Sequence, residues 1–374
     1  MLIRKKLPIL TTETLHQDPQ LIRRAHKVLA FLVHFYVHSI PQDTIEGPIL
    51  VPRSLVAPLM AVSHVLRLAP VLTFADTVLW NWELVNPNLP VTIDNMRFGQ
   101  ELFSGTEAER NFYLGSAQTE MIGVEMLHIF NDYHNLPNVT DSSSICKINS
   151  LLGQLTTVIR DIEASMQSVR QMVDPHMFYW EVRPWYNGSG SGPSAPAWIY
   201  EGVGDMSKLD LSGPSAGQSS VMHALDLFLD IDHKLRQRRY PAPSEANKQA
   251  DHGFMERMRR YMPGKHRDYL EYIADYSPHI RAVAQDTPAV KEAYNTAVMA
   301  LKKLRDSHMR IACLYVVTMS RSTTPPVGCP MFAMAERMRR EAAKSGPATG
   351  TGGNELSLLL KAGRDATARA VLKN

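Results

Sequence analysis

The sequence predicts an all-α fold, because helical periodicity recurs along its 374 residues while strand patterns are scarce. Apolar residues return at spacings of three and four over most of the chain, and few runs alternate between apolar and polar residues as a half-buried strand does. No repeated unit of alternating strand and helix is found. Hydrophobic residues make up 44% of the chain and charged residues 21%, which indicates a folded protein with one large core or two unequal domains.

Start and stop signals delimit the predicted helices. The first begins at Asp18-Pro19, where an N-cap residue is followed by proline at the first helical position, and it stops before Pro41. The fourth is long and is ended by Pro175, since the residue before a proline disfavours helical backbone. The predicted helices are 19–40, 53–68, 106–133, 142–174, 219–234, 265–274, 288–319 and 355–372.

Two segments interrupt this helical pattern. Residues 187–196 are rich in Gly and Ser, and residues 320–354 are rich in Ser, Thr, Pro and Gly apart from a short helical stretch at 334–344. Each is either a mobile loop over a site or a surface connection, and the pattern alone leaves both interpretations open.

Charge and cysteine content exclude several classes of protein. Forty basic residues against 37 acidic ones give a net charge of +3, without the clustered excess that nucleic-acid binding requires. The N-terminus lacks an apolar stretch of signal-peptide length, and the longest apolar run is too short to cross a membrane. The three cysteines, Cys146, Cys313 and Cys329, show no ligand-like spacing. We therefore expect a soluble, cytoplasmic protein with reduced thiols that binds neither nucleic acid nor membrane.

Three motifs suggest chemistry that their context does not support. Residues 213–217 fit the G-x-S-x-G motif of serine hydrolases, but no apolar strand precedes them. Residues 188–192 are glycine-rich but lack the lysine of a phosphate-binding loop. His223, Asp226 and Asp230 share a helix face and offer metal ligands, although a solvated polar face explains them better.

His308 is a stronger candidate, because it replaces an aliphatic residue within an apolar stripe. The helix predicted at 288–319 places Leu301, Leu304, His308 and Ile311 along one face. One explanation is a buried histidine whose ring nitrogens bind backbone carbonyls. The other is a histidine that ligates a metal or haem iron, with Arg305 one turn earlier available for a haem propionate.

Several motifs together resemble the indoleamine 2,3-dioxygenase family, in the order usual for that family. The resemblance runs from about Asp18 to the C-terminus, and the SAGQSS run and the histidine-bearing helix are its specific elements. It implies an all-α haem enzyme that inserts both atoms of O2 across the C2–C3 bond of an indole and opens the pyrrole ring. The motifs are RDSH at 305–308, SGPSAGQSS at 212–220, MRRYMP at 258–263, FYWEVR at 178–183 and GTGG at 350–353.

The resemblance also implies a role for individual residues. His308 corresponds to the iron ligand and Arg305 to the propionate partner, while Ser215, Ala216 and Gly217 correspond to the loop along the haem edge. Ser116 is the polar residue expected in the distal pocket, where it would tune hydrogen bonding. The implied substrate-binding residues are Phe74, Thr77, Phe112, Ser116, Phe178, Tyr179, Arg183, Ser215 and Thr351. Arg183 would receive the substrate carboxylate, and Thr351 would lie on a mobile loop at 320–354.

The chain departs from the animal members of that family at several of these positions. It lacks an N-terminal stretch that they have, so we expect a shortened N-terminal helical region at 1–70 and a large helical haem domain at 71–374. Pocket positions differ as well. Where the animal enzymes have phenylalanine, glycine and leucine, this chain has Tyr179, Pro214 and Tyr186. Where they have tyrosine, cysteine and threonine, it has Phe74, Thr77 and Asn354. These changes bear on which indole the protein accepts more than on whether it binds haem.

Three functional hypotheses remain open on the sequence. The first is a haem dioxygenase, expected to be a monomer, that cleaves tryptophan or a tryptophan-derived indole to an N-formylkynurenine-type product. The second is a haem oxygenase or peroxidase-like enzyme that acts on a modified indole without ring cleavage. The third is a haem-binding protein without turnover.

Overall fold

The structure is a computed structural model, and helices dominate it, which confirms the all-α prediction. It describes residues 2–41, 45–190, 195–233, 253–326, 332–334, 336, 339–340, 350 and 355–373. Within these residues the α-helices are α1 (Leu2–Lys6), α2 (Pro19–His38), α3 (Arg53–Leu66), α4 (Glu107–His134), α5 (Ser142–Met172), α6 (Pro175–Met177), α7 (Ser220–Phe228), α8 (Phe254–Arg259), α9 (Gly264–Asp275), α10 (Ile280–Asp286), α11 (Pro288–Ala312), α12 (Met319–Ser322) and α13 (Leu356–Ala370).

Local chemistry sets the helix ends. The Asp18 carboxylate accepts hydrogen bonds from the backbone N–H groups of Gln20 and Leu21, which caps α2 as the sequence predicts. Helix α3 ends before Arg67, whose φ of 51° is left-handed. Helix α7 was predicted to run to residue 234 but ends at Phe228, and Asp230 beyond it has a φ of 52°. The alternation of apolar residues does not reveal this stop, because the left-handed residue is neither Gly nor Asn.

Three π-helices break the regular helices, and the sequence did not predict them. They span Ala75–Leu79, Phe178–Val182 and Cys313–Thr318. The third continues α11 directly, so the helix predicted at 288–319 exists but changes its winding after Ala312. A π-helix shifts the register of side chains by one residue and is often found at functional sites.

Two hydrophobic clusters form the core. The first joins α2, α3, the first turns of α4 and the segments 173–186 and 254–261. The second joins the rest of α4 to α5, α7, α9, α10, α11 and α13. Helix α4 therefore contributes to both clusters. The boundary at residue 70 stays a prediction.

The strands in the described part of the chain are short. Strand β1 (Ile49–Val51) pairs in parallel with β4 (Trp198–Tyr200), and β2 (Trp82–Leu84) pairs antiparallel with β3 (Met96–Phe98). Each of these two pairs of strands therefore forms a small two-stranded sheet. None of the described helices combines the length and the apolar composition that spanning a membrane requires.

Candidate functional site

Three aromatic side chains from separate parts of the chain meet beside the first turns of α4. The ring centroids of Phe112 and Phe178 lie 4.6 Å apart, and those of Phe112 and Tyr186 lie 6.3 Å apart. We call Phe112, Phe178 and Tyr186 the aromatic cluster. Tyr315, in the π-helix that continues α11, packs edge-on against Phe178 at 5.8 Å. The cluster therefore links α4 and the 178–186 segment to the continuation of the helix that carries His308.

Ser116 lies one turn after Phe112 on α4, as predicted. Its hydroxyl donates a hydrogen bond of 2.9 Å to the backbone carbonyl of Phe112. Both side chains are partly buried. Because the hydroxyl proton is already shared with the backbone, Ser116 has an oxygen left to accept a hydrogen bond but no free proton to transfer.

Tyr179 lies on the π-helix Phe178–Val182, and Arg183 begins the 3-10 helix that follows it. Both side chains are buried. The guanidinium carbon of Arg183 lies 5.3 Å from the centroid of the Tyr179 ring, which is a cation–π distance. Only 6% of Arg183 is exposed, and this burial lowers the pKa of its guanidinium. A planar guanidinium can donate two parallel hydrogen bonds to a carboxylate.

Phe74 and Thr77 lie at the start of the first π-helix and are both buried. The hydroxyl of Thr77 donates to the backbone carbonyls of Thr73 and Phe74 at 3.3 and 3.4 Å. Asp76, fully buried, accepts hydrogen bonds from the N–H and hydroxyl of Thr73 and contacts a ring nitrogen of His26 at 2.7 Å. These contacts fix the π-helix from the side of α2.

Gln218 connects this π-helix to the segment that contains Ser215, Ala216 and Gly217. Its side-chain oxygen accepts from the N–H of Phe74 at 2.8 Å, and its side-chain nitrogen donates to the carbonyl of Gly213 at 2.7 Å. Gln218 was part of the SAGQSS run but was not assigned a role. The structure shows that one buried amide joins two of the segments predicted to line the site.

The Ser215–Gly217 segment is a tight turn with little space beside its backbone. The Ser215 hydroxyl accepts a hydrogen bond of 3.2 Å from the N–H of Gly217, and Ala216 is exposed. A Cβ atom at Gly217 would lie 2.6 Å from the Phe254 ring. Gly213 has a φ of 87°, and a Cβ atom there would lie 2.4 Å from the carbonyl oxygen of Tyr186. Both glycines are therefore required by close packing and backbone conformation.

His308 lies on α11 with its ring partly buried. In the part of the chain that the structure describes, neither ring nitrogen has a hydrogen-bond partner. Burial, and to a lesser extent the neighbouring Arg305 charge, lowers the pKa of His308 and favours the neutral ring. The first explanation of His308, a ring held by backbone carbonyls, therefore finds no support. A neutral imidazole with a free nitrogen lone pair is the form that binds a metal ion.

Arg305 belongs to a buried group of charges. Its guanidinium contacts both carboxylate oxygens of Asp226, at 2.5 and 2.6 Å, and also bonds to Thr367 and to the carbonyl of Gly363. His233 contacts the same carboxylate at 2.7 Å. We call Arg305, Asp226 and His233 the Arg305 cluster. Burial alone would raise the pKa of Asp226, but the charge of Arg305 and the hydrogen bond from His233 lower it to about 2.

This arrangement corrects the interpretation of His223, Asp226 and Asp230. The first two are buried, so they do not form the solvated polar face that the sequence favoured. His223 contacts the carbonyl of Gly217 at 2.9 Å, and exposed Asp230 pairs with Arg281. Among the described residues no group of three or more His, Cys, Asp and Glu side chains could hold a metal ion. The metal alternative for these residues is therefore wrong.

The two glycine motifs have structural roles. Ser215 of the G-x-S-x-G sequence precedes a single 3-10 turn and follows no strand, so the serine hydrolase interpretation is excluded. A Cβ atom at Gly188 would lie 2.1 Å from the Leu211 carbonyl, so this glycine permits close backbone contact. Cys146 and Cys313 are free thiols. Thr351, Asn354, Cys329 and most of the segment 320–354 lie outside the described residues.

The structure thus links several of the predicted site residues through shared contacts. The ring of Phe112 lies near those of Phe178 and Tyr186, while Gln218 joins Phe74 to the segment of Ser215. Sequence patterns do not reveal the partners that hold these groups, namely Gln218, the pairing of Asp226 with Arg305, and His233. Asp226 and Arg305 are 79 residues apart, and no local pattern connects residues at such a separation.

The fold is all-α, and in its described part His308 has no hydrogen-bond partner, Arg305 is paired with Asp226, and aromatic side chains cluster beside α4. These features define a class of helical proteins suited to a planar cofactor and an aromatic ligand. The family model for indoleamine 2,3-dioxygenase matches residues 2–370 of the chain. The chain therefore belongs to the indoleamine 2,3-dioxygenase family.

Individual relatives agree with this assignment. Indoleamine 2,3-dioxygenase 1 of Rattus norvegicus is 31% identical over 376 residues, which cover 98% of this chain and 84% of the relative. An indoleamine 2,3-dioxygenase of Saccharomyces cerevisiae is 28% identical over 383 residues, covering 97% and 81%. Indoleamine 2,3-dioxygenase acdA of Aspergillus candidus is 30% identical over 375 residues, covering 97% and 84%.

Proposed function

We propose that the protein is a haem-dependent dioxygenase that inserts O2 across the C2–C3 bond of an indole. The substrate is tryptophan or a tryptophan-derived indole, and the product is of the N-formylkynurenine type. The observation that carries this proposal is the state of His308, a partly buried, neutral imidazole without a hydrogen-bond partner among the described residues. Membership of the family supplies the reaction class.

The residues present fit haem b. His308 offers the nitrogen that would bind the iron, and Arg305 on the same helix face would meet a propionate. Arg305 is already oriented by Asp226, so its guanidinium needs little reordering to accept a second anion. Ser215, Ala216 and Gly217 would lie along the edge of the ring, where small side chains allow close approach. When bound, the haem would supply the activation of O2.

We infer the class of substrate from the aromatic cluster and from the buried Arg183. Phe112 and Phe178 present apolar faces suited to an indole ring. Phe74 is held by its hydrogen bond to Gln218, and Thr77 follows it on the first π-helix. Arg183 would receive the carboxylate of an amino acid, since a guanidinium can donate two parallel hydrogen bonds to it. Thr351 would lie near the substrate amine. The protein's tasks are then to orient the indole and to exclude water.

Ser116 would tune hydrogen bonding at the reacting centre without serving as the proton donor. Its hydroxyl hydrogen is shared with the Phe112 carbonyl, which leaves an oxygen lone pair to accept the indole N–H or a water. Replacing Ser116 by alanine should then reduce the rate without abolishing it.

The substrate need not be tryptophan itself. Tyr186 stands where the animal enzymes have leucine, and its ring packs against Phe112 within the pocket. Burial and the nearby Glu109 charge raise the pKa of Tyr186 well above its usual value, so the phenol remains neutral. This bulky side chain supports a specialised-metabolism oxygenase acting on a modified indole as the second candidate.

The cellular setting follows as part of the same proposal. The free thiols of Cys146 and Cys313 support a reducing compartment, and we infer a cytoplasmic, monomeric enzyme of tryptophan breakdown, in the kynurenine pathway or a related route. We also propose residues 1–70 as a short N-terminal region and residues 71–374 as the haem domain, with 320–354 as a gating loop.

The direct test is isotopic. The haem-loaded, reduced protein is incubated with tryptophan under 18O2, and the product is weighed by mass spectrometry. Incorporation of two labelled atoms is expected. One labelled atom would instead support the monooxygenase alternative, and intact tryptophan in a protein with a normal haem spectrum would support the non-catalytic haem binder or a different indole.

A further inference from the structure

A groove lies beside α4, between that helix, the first π-helix, α7 and α9. Its volume is about 590 Å³, which is in the range of sites for small organic molecules. No role has been assigned to it above. The walls are mainly apolar and include Trp82, Met96, Met121, Val124 and Tyr269.

Glu120 is the charged group that the groove offers to a ligand. The Ser219 hydroxyl donates a hydrogen bond to one carboxylate oxygen, and the other oxygen has no partner among the described residues. The side chain is only partly buried, and it lines the groove. Burial raises the pKa of Glu120 to about 7, although the Ser219 hydrogen bond opposes the shift. A cation placed beside this carboxylate would stabilise its ionised form.

The other polar groups of the groove are already engaged or face water. The Ser220 hydroxyl and Nδ1 of His266 share a hydrogen bond of 2.8 Å. Burial lowers the pKa of His266, which keeps its ring neutral. Lys265 is exposed, so its ammonium can extend into solvent on its flexible side chain. Glu120 therefore remains the fixed charge within the groove.

We propose that this groove binds an arylalkylamine, with the aromatic ring between the apolar walls and the ammonium group on the free oxygen of Glu120. Trp82 is a rigid wall for such a ring, because its indole N–H is held by the Leu79 carbonyl at 2.7 Å. The faces of Trp82 and Tyr269 would add a cation–π attraction for the ammonium group. An aryl carboxylate is disfavoured, since it would place a second anion beside Glu120.

A ligand in the groove would contact elements that also carry predicted site residues. Ala117 and Glu120 line the groove, and Ser116 is adjacent to the first of them on α4. The bond from Ser219 to Glu120 also connects the groove to the end of the Ser215–Gln218 segment. The groove is thus placed to act as an effector site, while binding itself requires neither haem nor turnover.

The test compares three probes of one shape. The amine is 1-naphthylmethylamine, the neutral analogue is 1-naphthalenemethanol and the anion is 1-naphthoate. Each is titrated calorimetrically into the full-length protein and two variants. Glu120→Gln removes the charge but keeps an oxygen for Ser219, and Val124→Trp fills the groove from an exposed position. Glu125→Gln, an exposed site on the same helix outside the groove, is the matched control.

The amine is expected to bind the unmodified protein about tenfold more tightly than the alcohol, and the naphthoate most weakly. Glu120→Gln should remove this preference for the amine, Val124→Trp should remove the binding, and Glu125→Gln should change neither. Any binding in the indole pocket would persist in all variants, so the component that disappears in Val124→Trp belongs to the groove. Unchanged amine affinity in Glu120→Gln or Val124→Trp, or no preference for the amine, would overturn the proposal.

Discussion

The Arg305 cluster and the aromatic cluster are built in different ways. The first joins regular helices α7 and α11 through a buried ion pair, in which Arg305 contacts both oxygens of Asp226. The second joins the first turns of α4 to the irregular segment 178–186 through aromatic contacts, with the ring centroids of Phe112 and Phe178 4.6 Å apart. Charge pairs specify one geometry closely, whereas aromatic contacts tolerate changes in shape.

Two of the departures from the animal enzymes, Tyr179 and Tyr186, fall on the aromatic side. Tyr179 and Tyr186 belong to the irregular segment, while His308 and Arg305 keep the residue types that the family motif requires. We infer that cofactor binding depends on the Arg305 cluster and that the choice of indole depends on the aromatic cluster. The following experiments separate these roles, and they are ordered by expected effect.

Replacing His308 by alanine should have the largest effect. Loss of the iron ligand is expected to reduce haem content below about a tenth of normal and to abolish turnover. Haem content is measured by the Soret absorbance of the purified protein. His128→Ala, an exposed histidine on α4, is the control and should leave the spectrum unchanged. A full haem complement and an unaltered reduced spectrum in His308→Ala would show that another residue binds the iron.

Replacing Asp226 by asparagine should strongly destabilise the fold. Arg305 would then be buried without a counter-charge, which costs about 3 kcal/mol in the free energy of unfolding. Urea denaturation of the haem-free protein measures this cost, with Asp286→Asn at an exposed position as the control. The double variant Asp226→Asn with Arg305→Met should recover part of the stability, because it removes the stranded charge. A double variant less stable than Asp226→Asn would contradict the pairing.

The same ion pair predicts a pH dependence. The pKa of Asp226 is lowered to about 2 from the ordinary 3.8, so its contribution to stability is complete above pH 4. That contribution is lost as the pH falls from about 4 toward 2, when the folded carboxylate takes up a proton. The thermal midpoint of Asp226→Asn should therefore depend less on pH in this range than that of the unmodified protein.

Arg183 should affect substrates according to their charge. Arg183→Ala is expected to raise the KM for amino-acid indoles about 30-fold, through loss of charge-assisted hydrogen bonds, while plain indoles change less than about twofold. Arg183→Lys keeps the charge but not the planar pair of donors, and should fall between the two. Equal losses for both classes of indole would place Arg183 in a structural role, and the thermal midpoint of each variant checks that role independently.

Substitution of Tyr186 should give the smallest of these effects, a change in substrate preference. Tyr186→Leu introduces the animal residue and enlarges the space beside Phe112, so the ratio of kcat/KM for 5-methyltryptophan to that for tryptophan should rise about fivefold. Tyr186→Phe removes only the hydroxyl and serves as the volume control. If Tyr186→Phe shifts the ratio as much as Tyr186→Leu, the hydroxyl group and not the volume sets the preference.

How much of the protein was predictable depended on the range of the interactions. Helix starts such as Asp18-Pro19 and the grouping of Phe112 with Ser116 follow from neighbours within one or two turns. The π-helices did not follow, because the register shift is set by contacts such as those of Asp76 with Thr73 and His26. The solvated face assigned to His223 and Asp226 was wrong for the same reason: burial depends on distant packing.

By itself the sequence determined the all-α fold, the order of the long helices and the placement of His308 on an apolar stripe, since these follow from periodicity and local capping. Only the tertiary structure decided that Asp226 pairs with Arg305, that Gln218 bridges Phe74 and Gly213, and that the ring nitrogens of His308 lack partners in the described residues. The reason is physical. Such partners are tens of residues apart in the chain, and they meet because packing of the whole core brings them together.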